Sequence, residues 1–276
     1  MPADDARNAA TWTADLDLIF GAAEEAGRIA MRHFRNAPDV WYKNGGTSPV
    51  SAADMAVDSF LKDALLGARP DYGWLSEETV DAADRLTHRN VFVVDPIDGT
   101  RAFIEGMDTW CVSIAIVSDG TPVAGVLVAP ALAETYSASQ AGQARKNGQV
   151  MVGTTVDATQ PLRFAAPKPL VEGLSERLGR NVSRMPHIPS LAYRLAMVAD
   201  GRLDATLVSA KARDWDIAAA DLILSRVGGQ VMTLSAETIA YNRAETDHGI
   251  LVAGQAALMP GLAHAVAALH APAAEH

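Results

Sequence analysis

A single cysteine, Cys111, stands in 276 residues, so no intramolecular disulfide can form, and such usage fits a reducing cytoplasm. Positive charge is scarce: 23 Lys and Arg stand against 33 Asp and Glu, a formal net charge of -10. That balance argues against binding a nucleic-acid backbone, which needs clustered cations, and against docking on an anionic membrane. No apolar run approaches the roughly 20 residues needed to cross a bilayer. The first residues are acidic and mixed, without the basic-then-apolar pattern of a secretory leader. His33, His88, His187 and His248 are scattered, with no H-x-x-x-H spacing, so no zinc site is expected. Internal repeats are absent. Aromatic residues are few, and Trp74, Trp110 and Trp215 are expected to pack rather than stack on bases. What is present is apolar: 49% of residues are hydrophobic, enough for a sizeable core in one large or two smaller domains.

The stretch Val91-Phe92-Val93-Val94-Asp95-Pro96-Ile97-Asp98-Gly99-Thr100 changes character abruptly. Its unbroken apolar start predicts a short strand buried on both faces. Pro96 then blocks ladder hydrogen bonding, and Asp98-Gly99 supplies a turn. Two carboxylates thus sit at the mouth of a buried strand. Desolvating an unpaired carboxylate costs several kcal/mol, and a hard cation such as Mg²⁺ is the simplest compensation. The alternative is an Asx-turn with both acids facing water.

Along the chain, apolar spacing predicts an amphipathic helix over Asp15 to Phe34. Trp41 to Lys43 reads as a short strand and Asn44 to Pro49 as a loop. Ser51-Ala52-Ala53-Asp54 resembles a capping box opening a second helix, which gives Asp54 a purely structural role to weigh against an ionic one. Tyr72 to Ser76 reads as a strand running into Glu77-Glu78. Adjacent strand residues point to opposite sides, so at most one of these acids can face an inward site. Val80 to Asn90 is polar and reads as a mobile excursion. Thr109 to Val117, Pro122 to Ala129, Thr135 to Ala138 and Ala144 to Val150 form a hairpin-connected antiparallel sheet, with the two early helices on one face. From about Thr154 short strands and helices alternate: strands over Leu162 to Ala165 and Asp204 to Val208, and helices over Val171 to Leu178, Ser190 to Ala199 and Ile217 to Val227. Ala265 to Ala274 is helix-prone. This division predicts an N-terminal α+β half over 1–150 and a C-terminal α/β half over 151–276. Asp216 begins the 217–227 helix, either as a cap or as a further carboxylate for the same ion site.

Four stretches, taken in order, resemble the inositol monophosphatase superfamily of Mg²⁺-dependent phosphomonoesterases. They are Ser48 to Asp54 (S-P-V-[ST]-x-x-D), Trp74 to Glu78, Asp95 to Thr100 (D-P-[IL]-D-G-T) and Trp215 to Ala219 (W-D-x-A-A). The resemblance covers nearly the whole chain and implies a layered αβαβα sandwich with its site between the halves. It implies Glu77, Asp95, Asp98, Asp216 and the Ile97 carbonyl as ligands of two or three Mg²⁺ ions, for which Mn²⁺ can substitute. Asp54 would hold a third, weaker ion or its water, and Thr100 would orient the attacking water. Asp98, the Gly99 and Thr100 amides, Ser190, Lys211 and Arg213 would contact a small phosphorylated substrate. Inhibition by Li⁺ and a monomeric or homodimeric state are also implied.

Three departures put inositol in doubt. Ser209 stands where inositol-cleaving relatives carry a carboxylate, Arg101-Ala102 stands where they carry x-Asn, and Pro189-Ser190 replaces Gly-Ser. The stretches Ser190 to Leu195 and Ile239 to Arg243 look more like bacterial 3′(2′),5′-bisphosphate nucleotidases, which convert adenosine 3′,5′-bisphosphate to AMP and phosphate. Lys211, Arg213, Arg194 and Arg243 are the candidate cations for a second phosphate. The alternatives are an inositol-1-monophosphatase and a sugar phosphatase such as fructose-1,6-bisphosphatase. An aspartyl-phosphate mechanism is disfavoured, because it normally uses D-x-D spacing. A non-catalytic cation-binding module is disfavoured because every ligand position holds an acid.

Overall fold

The computed structural model describes residues 3–36, 40–43 and 48–270. The first helix, α1 (Ala3–His33), starts earlier than the apolar pattern required. A hairpin follows, β1 (Val40–Lys43) and β2 (Ser48–Ser51), so Ser48 and Pro49 belong to a strand rather than to the expected loop. Residues 44–47 of that loop lie outside the described residues. Helix α2 (Ala52–Ala68) opens at the anticipated capping box, with the Ser51 N–H donating to Asp54 Oδ2 at 2.8 Å.

Next come β3 (Gly73–Ser76), β4 (Asn90–Asp98), the short α3 (Thr100–Ile104), β5 (Cys111–Ser118), β6 (Thr121–Ala129), β7 (Glu134–Ser139), β8 (Arg145–Lys146) and β9 (Gln149–Val150). They form one seven-stranded sheet in sequence order. It is antiparallel throughout except that β3 runs parallel to β4, against the expectation of a wholly antiparallel sheet. The connection between them is the supposed excursion 80–90, which forms a 3₁₀ turn over Ala83–Thr87. It is fastened by Arg85, only 1% exposed, whose guanidinium donates to Asp81, Asn242 Oδ1 and the Arg243 carbonyl. Strand β4 continues past Pro96 to Asp98, where the sequence suggested it would stop. A register shift against β5 between Asp95 and Asp98 removes the demand for a donor at the proline.

The remainder is β10 (Leu162–Ala165), α4 (Lys168–Leu178), β11 (Val182–Arg184), α5 (Leu191–Ala199), β12 (Ala205–Val208), α6 (Asp214–Ser225), β13 (Gly229–Thr233), β14 (Leu251–Gln255) and α7 (Met259–His270). Their five strands make a mixed sheet ordered β11-β10-β12-β14-β13. Strands β11, β13 and β14 escaped the sequence reading. The end of the helix-prone tail, 271–274, lies outside the described residues.

Five layers result: α1 and α2, the seven-stranded sheet, α5 and α6, the five-stranded sheet, then α4 and α7. Three apolar clusters fill the gaps between them. Phe92 and Val94 join α1 and α2 in one cluster, whereas Val91 and Val93 join α5 and α6 in another. The period-2 alternation of a strand therefore buries every residue of this run, because both faces are covered. Leu162, Phe164 and Val252 form the third cluster with α4 and α7.

The central contact is tight. A Cβ added at Gly125 on β6 would lie 3.0 Å from the Ala219 Cα and carbonyl oxygen on α6. Replacing Gly125 with Val is expected to push α6 off the sheet and cost about 1–3 kcal/mol. Urea unfolding measures this, and an unchanged midpoint would contradict the packing described.

Candidate metal centre

The acids predicted to cooperate come from four separate elements. Asp95 and Asp98 end β4, Glu77 follows β3, Asp54 lies in the first turn of α2, and Asp216 lies in the first turn of α6. One carboxylate oxygen from each of Asp95, Asp98 and Asp216 lies within 4.8 Å of the others. Glu77 and Asp54 are close enough for their charge to act on this trio.

Four of the five carboxylates, those of Asp54, Asp95, Asp98 and Asp216, are held by the backbone or by neutral donors. The Ile97 N–H donates to Asp95 Oδ1 at 3.0 Å. The Arg213 N–H donates to Asp216 Oδ2 at 2.7 Å, which completes a cap on α6. Asp98 accepts from the Ser190 hydroxyl and from the Leu191 and Ala192 amides at 3.2 and 2.7 Å, at the start of α5. The weak Cys111 thiol donor lies 3.9 Å from Asp98. Thr100 Oγ1 reaches the Ile97 carbonyl at 3.0 Å and Asp54 Oδ1 at 3.2 Å. Asp54 thus caps its helix with one oxygen, as the capping box required, and accepts from Thr100 with the other.

Glycine is required at position 99. Its φ of +92° lies in the left-handed region, and a Cβ there would meet Ser190 Cβ at 3.1 Å.

Like charges in a buried place resist ionisation. Burial first, then Asp216, Glu78, Asp54 and Asp98, push Glu77 up to about 8. Burial and then Asp98 push Asp216 up to about 7. Burial chiefly raises Asp95, Asp98 and Asp54 as well. Among the described residues, no Lys or Arg side chain forms an ion pair with any of these five acids. The donor set is all oxygen, which suits a hard divalent cation and not zinc or copper. The cluster can therefore hold a metal ion.

Arg194, whose charge acts on Asp98, lines a cavity of about 260 Å³ together with Pro167, Arg184, Met185, His187, Ile188, Leu207 and Ser209 among others, with no acid in its lining. Arg194 donates to the Ile188 and Leu207 carbonyls at 3.0 and 3.2 Å, and its buried Nε has no partner. The other anticipated cations are placed differently. Arg213 is turned toward Thr246 and Asp247, and Arg243 lies toward the Asp247 carbonyl. Lys211 is exposed on a backbone with φ of +82°. The Ser190 hydroxyl donates to Asp98 and accepts from the Tyr193 amide. Arg184 was not singled out in the sequence, and His187 was noted only as one of the scattered histidines. They sit on and after a three-residue strand, too short for any periodic signal to mark.

The sequence profile of the inositol monophosphatase family matches residues 13–271. A 3′(2′),5′-bisphosphate nucleotidase CysQ of Aggregatibacter actinomycetemcomitans is 32% identical over 239 residues, covering 84% of this chain and 88% of the relative. An inositol-1-monophosphatase of Mesorhizobium japonicum is 33% identical over 265 residues, covering 91% and 95%. Among solved structures, the extragenic suppressor protein suhB of Bartonella henselae superposes with a TM-score of 0.77 at 26% identity, covering 92% and 98%. An IMPase of Thermotoga maritima gives 0.80 at 24% identity, covering 93% and 98%, a likeness of fold. With the layered architecture and the acid cluster in place, the chain belongs to the inositol monophosphatase family of phosphomonoester hydrolases.

Proposed function

We propose that the protein is a Mg²⁺-dependent 3′(2′),5′-bisphosphate nucleotidase, converting adenosine 3′,5′-bisphosphate to AMP and phosphate. The observation that carries this reading is the acid-free cavity with the buried Arg194 guanidinium in its wall, one turn along α5 from the Ser190 that donates to Asp98. A second phosphate brings additional negative charge, which guanidinium groups suit and a carboxylate would repel. Met185, Ile188, Leu207 and Pro167 offer apolar surface for a nucleobase. A polyhydroxylated ring would find few acceptors there, Ser209 standing in place of an acid.

Glu77, Asp95, Asp98, Asp216 and the Ile97 carbonyl would hold Mg²⁺. Bound there, the metal supplies Lewis acidity that lowers the pKa of water and offsets the charge of the ester. The remaining work belongs to the chain. Thr100 Oγ1 donates to Asp54 Oδ1 and accepts a hydrogen from the attacking water, fixing its direction. Asp54, whose carboxyl burial holds above its ordinary range, receives a proton readily. The Gly99 and Thr100 amides donate to phosphate oxygens. Arg194 and Arg184 hold the non-reacting phosphate.

Comparing kcat/KM for adenosine 3′,5′-bisphosphate, inositol 1-phosphate and fructose 1,6-bisphosphate tests the substrate, and preference for inositol phosphate would overturn it. Replacing Arg194 with Met is expected to lower kcat/KM on the bisphosphate by roughly 10–150-fold, the worth of a charged hydrogen bond. The loss on 3′-AMP, which lacks the second phosphate, should be much smaller.

The raised carboxyls also set a pH dependence. Folded Glu77 and Asp216 hold protons up to about 8 and 7, above their ordinary values of 4.5 and 3.8. The folded state therefore binds more protons than the unfolded one, and metal-free stability falls as pH rises from about 4 to 8. Metal must displace those protons, so stabilisation by Mg²⁺ grows between pH 6 and 8.5. At 100 times its Kd, a ligand adds about 2.7 kcal/mol. For a chain of this size that is roughly 5–10 °C in Tm. Thermal melts in EDTA and in Mg²⁺ at both pH values measure it; a Mg²⁺ shift that shrinks with pH would contradict the assignment.

A further inference from the structure

We propose that Asp58, which no metal or substrate role engages, is a positioning residue that holds Glu77 in the acid cluster. The inference rests on the reading of Glu77 as a metal ligand. Asp58 lies one turn after Asp54 on α2, so both side chains leave the same side of the helix. Asp54 joins the cluster, whereas Asp58, only 5% exposed, turns to the segment that carries Glu77. Its Oδ1 accepts from Ser76 Oγ at 2.5 Å, and its Oδ2 accepts from Thr79 Oγ1 at 2.8 Å. The two hydroxyls bracket Glu77 and Glu78 in sequence.

The rest of the segment is tied to the same point. Trp74 Nε1 donates to Thr79 Oγ1 at 3.2 Å, and the Glu78 N–H donates to Ser76 Oγ at 3.4 Å. The Glu77 N–H donates to the Val94 carbonyl at 3.2 Å, prolonging the pairing of β3 with β4 by one residue. Val80, just beyond Thr79, is 90% exposed.

A clamp matters here because Glu77 shares its surroundings with Asp216, Asp54 and Asp98, and its long side chain is only half-buried and could turn out to water. Glu77 and Glu78 are adjacent, so a small backbone rotation would exchange which of them points inward. Fixing the residues on either side prevents that exchange. The acceptor also has to be a carboxylate. Thr79 Oγ1 already accepts from Trp74, so its own proton needs an acceptor, and Ser76 needs another. A carboxylate serves both, whereas an amide accepts at one atom and can only donate at the other.

The test uses full-length metal-free protein. Mn²⁺ binding is followed by calorimetry without substrate, and hydrogen exchange is read at the amides of residues 76–80. D58N is expected to weaken Mn²⁺ binding by ~10–100-fold, as losing a partner that orients a ligand does. Exchange at 76–80 should accelerate and recover when Mn²⁺ saturates, and kcat at saturating metal should change little. T79V, which leaves the sequence of α2 unchanged, should follow D58N, and T79S, which keeps the hydroxyl, should behave as wild type. A lowered Tm with unchanged Mn²⁺ affinity and unchanged exchange would reduce Asp58 to a stabilising contact and overturn the proposal. E77Q separates the two levels. If E77Q binds Mn²⁺ as wild type does, the ligand reading of Glu77 fails and the clamp fails with it. If E77Q binds weakly while D58N and T79V do not, only the clamp fails.

Discussion

Mutual repulsion among buried and half-buried carboxylates is the constraint on which this molecule turns. Glu77, Asp95, Asp98 and Asp216 are held together in a place where burial alone raises each of them. Such an arrangement costs free energy in the metal-free fold and is repaid when a cation enters. What offsets part of that cost meanwhile is the backbone. Asp54 and Asp216 sit in the first turns of α2 and α6, and Asp98 accepts two amides at the start of α5. Helix N-termini carry partial positive charge, and each such placement contributes roughly 0.3–1 kcal/mol.

That arrangement explains why the layers are stacked as they are. The inner helices α5 and α6 run between the two sheets, so their first turns reach the end of β4 from the opposite side to α2. Gly125 lets α6 approach the sheet closely, and Gly99 lets the chain turn beneath Ser190. Small residues at these two positions are therefore required by packing. The phosphatase chemistry of the family is then a consequence of charge: a phosphate ester approaches only a place where its own negative charge, and that of the acids, is cancelled.

The neighbouring cavity has the opposite electrostatic character. Arg194 is buried and its cationic form is disfavoured by that burial, with Asp98 acting in the other direction. Under the proposed reading, a doubly phosphorylated ligand would be oriented with one end toward the acids and the other toward this guanidinium. Discrimination between relatives of one fold then depends on a handful of wall residues, such as Ser209 and Arg184, and leaves the acid cluster unaltered.

Much was readable without coordinates because it is local. The apolar run Val91 to Val94, the capping box at Ser51, the Asp119-Gly120 hairpin and the acids of the D-P-I-D-G-T stretch each declare themselves within a few residues. The resemblance of the motifs, in order, to the inositol monophosphatase superfamily then implied a common site. Other features needed the tertiary structure, because they join groups far apart in sequence or depend on what covers a face. The parallel pairing of β3 with β4, the burial of Arg85 against Asn242, and the orphan Nε of Arg194 leave no local trace. Asp58 looks like any polar residue on a helix until Ser76 and Thr79 are brought against it. Sequence alone determined which residues carry negative charge and which segments must be buried. Only folding decided which of those charges meet, since the energy of a buried carboxylate depends on its neighbours in space.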